Sequence, residues 1–141
     1  MEKEFYEDLC KKALKAREMS YCPYSDFAVG AALASDDGSV YTGCNIENAA
    51  FTPGNCAERT AFFKAVSEGK RKFLAIAIAG GRKGAKVPLD ECPPCGVCRQ
   101  VMMEFCDPKT FEIVLARSEH DYRICLLGDL LPLGFGPGNI S

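Results

Sequence analysis

Between residues 2 and 18 the apolar positions Phe5, Leu9, Ala13 and Ala16 recur every three or four residues among charged neighbours. That period predicts an amphipathic helix with one face turned to a core. SYCPYSD (20–26) breaks it. FAVGAALA (27–34) and SVYTGCN (39–45) then read as two strands joined by SDDG, whose Asp37-Gly38 pair signals a β-hairpin.

A second helix is predicted over 56–68, with Asn55 able to cap it, Glu58 three residues on as in a capping box, and Gly69 as the stop. FLAIAIAGG (73–81) is apolar at consecutive positions, the pattern of a mid-sheet strand covered by helices on both faces. RKGAKVPLDECPPC (82–95) carries prolines and charges and reads as a loop. Helical spacing returns through Val97, Val101, Met102 and Phe105, giving a third helix that starts near Cys95. TFEIVLA (110–116) and YRICLL (122–127) are further strands, followed by a short helical turn and an extended tail to Ser141. The elements sum to an α/β layered fold, without internal repeats or low-complexity segments.

A chain of 141 residues fits one domain, 1–141, large enough to hold an ordinary core. Its composition, 48% hydrophobic and 26% charged, is that of a folded protein, and a net charge of −2 supplies no field for nucleic acid or an anionic membrane. The N-terminal stretch lacks the basic start and apolar run of a secretory signal, and no apolar run reaches transmembrane length. The expectation is a cytoplasmic protein with neither nucleic-acid nor membrane partners.

Nine cysteines in a reducing compartment point toward metal ligation or buried thiols instead of disulfides. Cys10, Cys44, Cys106 and Cys125 lie among apolar neighbours and read as small core residues. PPCGVC sets Cys95 and Cys98 at CxxC spacing, with Gly96 between them to permit a tight turn. By itself that pattern fits a redox pair, a zinc knuckle or chance. Position adds to it: Cys95 opens the third helix and Cys56 the second, so two helix N-termini can converge on one point.

Three thiolates around Zn²⁺ leave a formal charge of −1, offset by the helix N-termini and by Arg59 just past the cluster. A Cys₃ set leaves a fourth position for water, and Glu58 beside it would take and return protons. The plainer role for Glu58 is the capping box with Asn55. Cys92 is also at CxxC spacing from Cys95 and would close a noncatalytic Cys₄ site, although Pro93 and Pro94 favour an extended approach that carries its thiol away. The lone histidine, His120, sits in the charged turn RSEHDYR and reads as a surface residue. Phe62, Phe63, Val66, Met102, Met103 and Phe105 read as core or subunit-interface packing.

CxE followed by PCxxC is a form of the zinc deaminase signature. YSDFAVGAAL, GCNIENAAF, CAERTAFFKAVSEG and PPCGVCRQVMMEF, in that order across roughly residues 5–135, resemble the small homotetrameric cytidine deaminases. The resemblance implies a three-layer α/β/α sandwich with a central mixed five-stranded sheet. It implies one zinc per subunit on Cys56, Cys95 and Cys98, proton transfer by Glu58, and hydrolysis of free cytidine and 2′-deoxycytidine to the uridine nucleosides and ammonia. It also implies that Asn45 and Glu47 hydrogen-bond the ribose, Glu47 accepting two bonds, and that Phe27 stacks near the pyrimidine. The backbone of Ala57 and the carbonyl of Cys95 would hold the base edge. Phe135 would reach a neighbouring subunit's pocket, making the active site a shared one in a homotetramer. At Phe51 the chain departs from the tyrosine of many relatives, losing a hydroxyl worth roughly 0.5–1.5 kcal/mol as a hydrogen bond. A blasticidin-type deaminase would share the zinc chemistry and differ in the pocket.

Overall fold

In the computed structural model, which describes residues 1–140, the central strand is the one whose sequence is apolar on both faces. The elements are α1 (Lys3–Ala16), β1 (Phe27–Ser35), β2 (Val40–Cys44), α2 (Ala57–Ser67), β3 (Phe73–Arg82), α3 (Gly96–Phe105), β4 (Glu112–Ala116), β5 (Tyr122–Leu126) and α4 (Leu127–Leu130). The sheet order is β2-β1-β3-β4-β5. β3 and β4 are parallel and every other pair is antiparallel, so the five-stranded sheet is mixed, as expected. The tail's final residue, Ser141, lies outside the described residues.

Alternation along the strands divides the interior into two unequal layers. Leu33, Ile76, Ile78, Ile113 and Leu115 face α2 and α3, where Phe62 packs against the rings of Phe73, Phe105 and Phe111. Ala32, Ala34, Ala75, Ala77, Ala79 and Ala116 face the other way, toward Tyr6, Leu9, Cys10 and Ala13 of α1. One layer is thick and aromatic, the other thin and alanine-rich. A helix laid on alanines approaches the sheet closely, and Gly30 is where it comes nearest. A Cβ on Gly30 would stand 2.1 Å from the Ala13 carbonyl oxygen and 2.5 Å from the Arg17 nitrogen. Gly43 of β2 answers to α2 in the same way, with Ala57 O and Ala61 N at 2.6 and 2.7 Å from its would-be Cβ.

The buried face of α1 is centred on Tyr6, Leu9, Cys10 and Ala13, about one position round from the apolar stripe in the sequence. Tyr6 is admitted because its hydroxyl finds a partner, donating to Glu112 Oε1 at 2.7 Å. The hairpin turn forms as expected, with Gly38 at φ +91°. Arg17, just beyond α1, donates to the carbonyls of Ala28 (3.1 Å) and Gly81 (3.1 Å) and so pins the start of β1 to the end of β3.

Two local expectations are corrected. Asn55 does not cap α2: it forms a bridge with Ile46, and its Nδ2 donates to Thr60 Oγ1 at 3.3 Å. The N-cap is Cys56, so Glu58 is the second helical residue and no capping box forms. Gly96 is not needed for a tight turn, because it has no positive φ and nothing lies within 4 Å of its would-be Cβ. Among the scattered thiols Cys10 is buried in the α1 layer, and Cys44, Cys106 and Cys125 are half-buried. Phe62 and Met102 are core residues, whereas Phe63 is 49% exposed. No helix among the described residues is long and apolar enough to cross a membrane.

The two glycines test the packing directly. Gly30→Ala forces methyl against backbone and lowers stability by about 2–3 kcal/mol, whereas Gly96→Ala stays within about 0.5 kcal/mol of the parent. Urea denaturation of both variants measures the difference.

Candidate active site

Two helices lie side by side on one face of the sheet with their N-termini together. Cys56 is the N-cap of α2 and Cys95 the N-cap of α3, and their sulfurs lie 3.8 Å apart. Cys98, one turn into α3 and fully buried, completes a group whose three Sγ atoms all lie within 4.8 Å of one another. A tetrahedral zinc with sulfur bonds of about 2.3 Å needs sulfurs about 3.8 Å apart, so the spacing fits that ion. Thiolate is also the donor type that selects it. The three are the only such group of cysteine, histidine or carboxylate side chains among the described residues.

The surroundings are built for negative charge. Arg59 Nη2 donates to Cys56 Sγ at 3.3 Å. Both helix N-termini contribute positive potential of roughly half a charge each. Hydrogen bonding from Cys98, aided by Arg59 and Cys95, pulls the Cys56 thiol well below its usual range against the effect of burial. The same contact with Cys56, together with burial, pushes Cys98 upward, so of this pair Cys56 takes the first negative charge.

Cys92 is not the fourth ligand of a closed site. Its sulfur packs over β3 at Gly80, 2.6 Å from where a Cβ would be, and burial pushes its thiol up to about 11. All nine cysteines are free, Cys95 and Cys98 included.

Glu58 faces the same cavity and is only 5% exposed. Desolvation pushes its carboxyl up to about 7, with the charge at Cys56 acting in the same direction. The cavity, about 800 Å³ and open on one side, runs from Glu58, Cys56 and Cys95 to Asn45, Glu47 and Phe51. Among the described residues its only cation is Arg59, already engaged with Cys56. The N–H of Ala57 lies in the first turn of α2, where it has no partner within the helix and is free to donate into the cavity. The Cys95 carbonyl accepts from Arg99 N at 3.0 Å, as the first bond of α3.

The residues matched to the sugar are tied into the fold. Asn45 Oδ1 accepts from Val29 N at 2.9 Å and its Nδ2 donates to the Phe27 carbonyl at 2.8 Å, which fixes the first residues of β1. Glu47 Oε1 accepts from the N–H groups of Tyr24 (2.9 Å) and Ser25 (3.1 Å), and Oε2 accepts from the Ser25 hydroxyl. A carboxylate offers about four acceptor positions, so Glu47 has one left for a ligand and not two. Phe27 stands at the cavity's edge beside Cys92, above Gly80, and is not one of its walls. Phe51 is 96% exposed on the rim. Phe135 lies outside this cavity, 51% exposed, with its carbonyl accepting from Gln100 Nε2 at 2.7 Å. His120 is exposed and paired with Glu7 at 2.8 Å, away from the site.

Sequence reasoning missed Ser25 and the packing of Cys92 on Gly80. A serine two residues before a strand is a recognisable turn signal, and Ser25 Oγ does accept from Phe27 N at 3.0 Å. Its bond to a carboxylate 22 residues away has no local signature.

The family model for the cytidine and deoxycytidylate deaminase zinc-binding region matches residues 3–114. A cytidine deaminase from Sporosarcina psychrophila is 47% identical over 135 residues, 96% of this chain and 94% of that protein. One from Halalkalibacterium halodurans is 49% identical over 90% of this chain and 91% of its own length. A crystal structure of cytidine deaminase from Burkholderia pseudomallei superimposes with a TM-score of 0.81 at 48% identity, covering 92% of this chain and 98% of that one.

Metal content separates an open three-sulfur site from a closed four-sulfur one. Elemental analysis finds about one zinc per chain in the parent and in Cys92→Ser, and almost none in Cys98→Ser.

Proposed function

Because the chain belongs to the cytidine and deoxycytidylate deaminase zinc-binding family, we propose that it hydrolyses cytidine, and 2′-deoxycytidine with it, to the uridine nucleosides and ammonia. The observation that carries this reading is a buried carboxylate, Glu58, lining one cavity with Cys56 and Cys95, whose sulfurs and that of buried Cys98 lie at zinc spacing. The reaction is a salvage step of the cytoplasm and needs no redox cofactor.

Cys56, Cys95 and Cys98 would hold the zinc, one per chain, and when bound it supplies Lewis acidity that activates water near neutral pH. Arg59 offsets the charge of the three sulfurs. Glu58 takes a proton from the attacking water and places it on ring nitrogen N3. It then carries the second proton of that water to the exocyclic amine, which leaves as ammonia while the oxygen stays on C4. Because Glu58 is buried at the wall of the cavity, the proton it takes is passed to the substrate and not lost.

The Ala57 N–H and the Cys95 carbonyl hold the base edge, and Phe27 reaches the ring from the cavity's edge. Asn45 and Glu47 meet the sugar. A 5′-phosphate would find Glu47 and no free cation in the cavity, which favours nucleosides over nucleotides. Nucleic acid is disfavoured for the same reason. Exposed Phe51, Phe63, Val97 and Phe135 support self-association. The assembly is a homotetramer in which Phe135 enters a neighbouring chain's cavity and Phe51 packs against sugar without a hydroxyl.

Three measurements test this. Glu58→Gln retains zinc and loses turnover by about a thousandfold, read from the absorbance change of cytidine to uridine and from released ammonia. Retained turnover overturns the assignment. Phe135→Ala chains, impaired by themselves, regain activity when co-expressed with Glu58→Gln chains, because a hybrid site combines one chain's carboxylate with the other's ring. A monomer by light scattering contradicts the shared site.

A further inference from the structure

The segment Cys22–Phe27 makes more contacts with Glu47 than a connecting loop requires. Asp26 is in the left-handed region at φ +59°, and its N–H donates to the Cys22 carbonyl at 3.0 Å. That reversal brings two consecutive N–H groups, of Tyr24 and Ser25, onto one oxygen of Glu47. The Ser25 hydroxyl meets the other oxygen, and Ser25 Oγ in turn accepts from the N–H of Phe27. Its single proton is therefore committed to the carboxylate and one of its two lone pairs to the backbone. The Ser25 bond, ahead of the other contacts, holds the Glu47 carboxyl below the usual carboxylate range.

Both oxygens of Glu47 are thus oriented by one loop, and in a residue that lines the cavity Oε2 keeps a single open acceptor position. A carboxylate without the Ser25 bond would still be held at Oε1 but would be free to swing Oε2 about that anchor. We propose that Ser25 is a positioning residue for substrate specificity: its hydroxyl aims the one free acceptor of Glu47 at a sugar hydroxyl and links that contact to the backbone of Phe27. This rests on the reading of Glu47 as a sugar-contacting group. Ser25 lines the cavity and its hydrogen bonds go to Glu47 and Phe27, none of them to Glu58 or the three clustered cysteines, so its effect falls on binding and leaves the chemical step alone.

The test uses the zinc-loaded enzyme. Ser25→Ala raises KM for cytidine about tenfold with kcat within about twofold, and Ser25→Thr restores the parent value. The inhibition constant of 2′,3′-dideoxycytidine, which keeps the 5′-hydroxyl and lacks the 2′ and 3′ hydroxyls that Glu47 would meet, changes by less than about twofold in the same variant. Equal weakening of both ligands, or failure of threonine to rescue, overturns the proposal. Ser25→Cys keeps the shape and donates only weakly, so it shifts KM in the same direction; an unchanged KM in that folded variant also overturns it. Glu47→Gln separates the two levels of inference. If it weakens cytidine and the dideoxynucleoside alike, the sugar reading of Glu47 fails and the role of Ser25 with it. If it discriminates between them and Ser25→Ala does not, only the role of Ser25 falls.

Discussion

Two sulfurs at contact distance belong to the capping residues of two different helices, and most of the site follows from that meeting. A helix N-terminus is short of acceptors for its first N–H groups and carries positive potential. Capping both helices with cysteine places thiolate chemistry where two such ends converge, with Arg59 adding a full charge from the next turn. Unpaired, three sulfurs this close would resist sharing negative charge. With two helix ends, a guanidinium and a divalent ion they become a stable ligand set.

The same arrangement gives Glu58 its environment. Because the cap is Cys56, Glu58 falls at the second helical position and turns into the cavity, where desolvation raises its affinity for a proton. A cap at Asn55 would have spent that carboxylate on the helix end. Asn55 is instead engaged with Ile46 in the short bridge network that also carries Glu47 and Tyr21. Asn45 and Glu47 are thus joined to Cys56 and Glu58 by backbone pairing across 45–56, and their spacing does not depend on flexible side chains.

The sheet supplies the support. Its alanine-rich face lets α1 settle close, so that Arg17 reaches the carbonyls at the ends of β1 and β3. Those ends position Phe27 and Gly80, and Gly80 makes room for Cys92 beside the cavity. The bulky face holds α2 and α3 at the height where their N-termini meet. Layer thickness, set by which face carries isoleucine and which alanine, is what aligns the helix ends.

The chain's periodicities were enough to place every strand, the three long helices and the central position of β3, because burial on one or both faces writes itself directly into residue type. CxE and PCxxC were enough to nominate Cys56, Glu58, Arg59, Cys95 and Cys98, since ligand chemistry restricts which side chains serve. Tertiary structure alone decided that Asn55 is not the cap, that Cys92 packs on Gly80, that Glu47 has one free acceptor position, and that Ser25 is what occupies its neighbour. Each of those depends on hydrogen bonds or close approach between separate segments, from Ile46 with Asn55 to Ser25 with Glu47, and such contacts leave no period in the sequence to read.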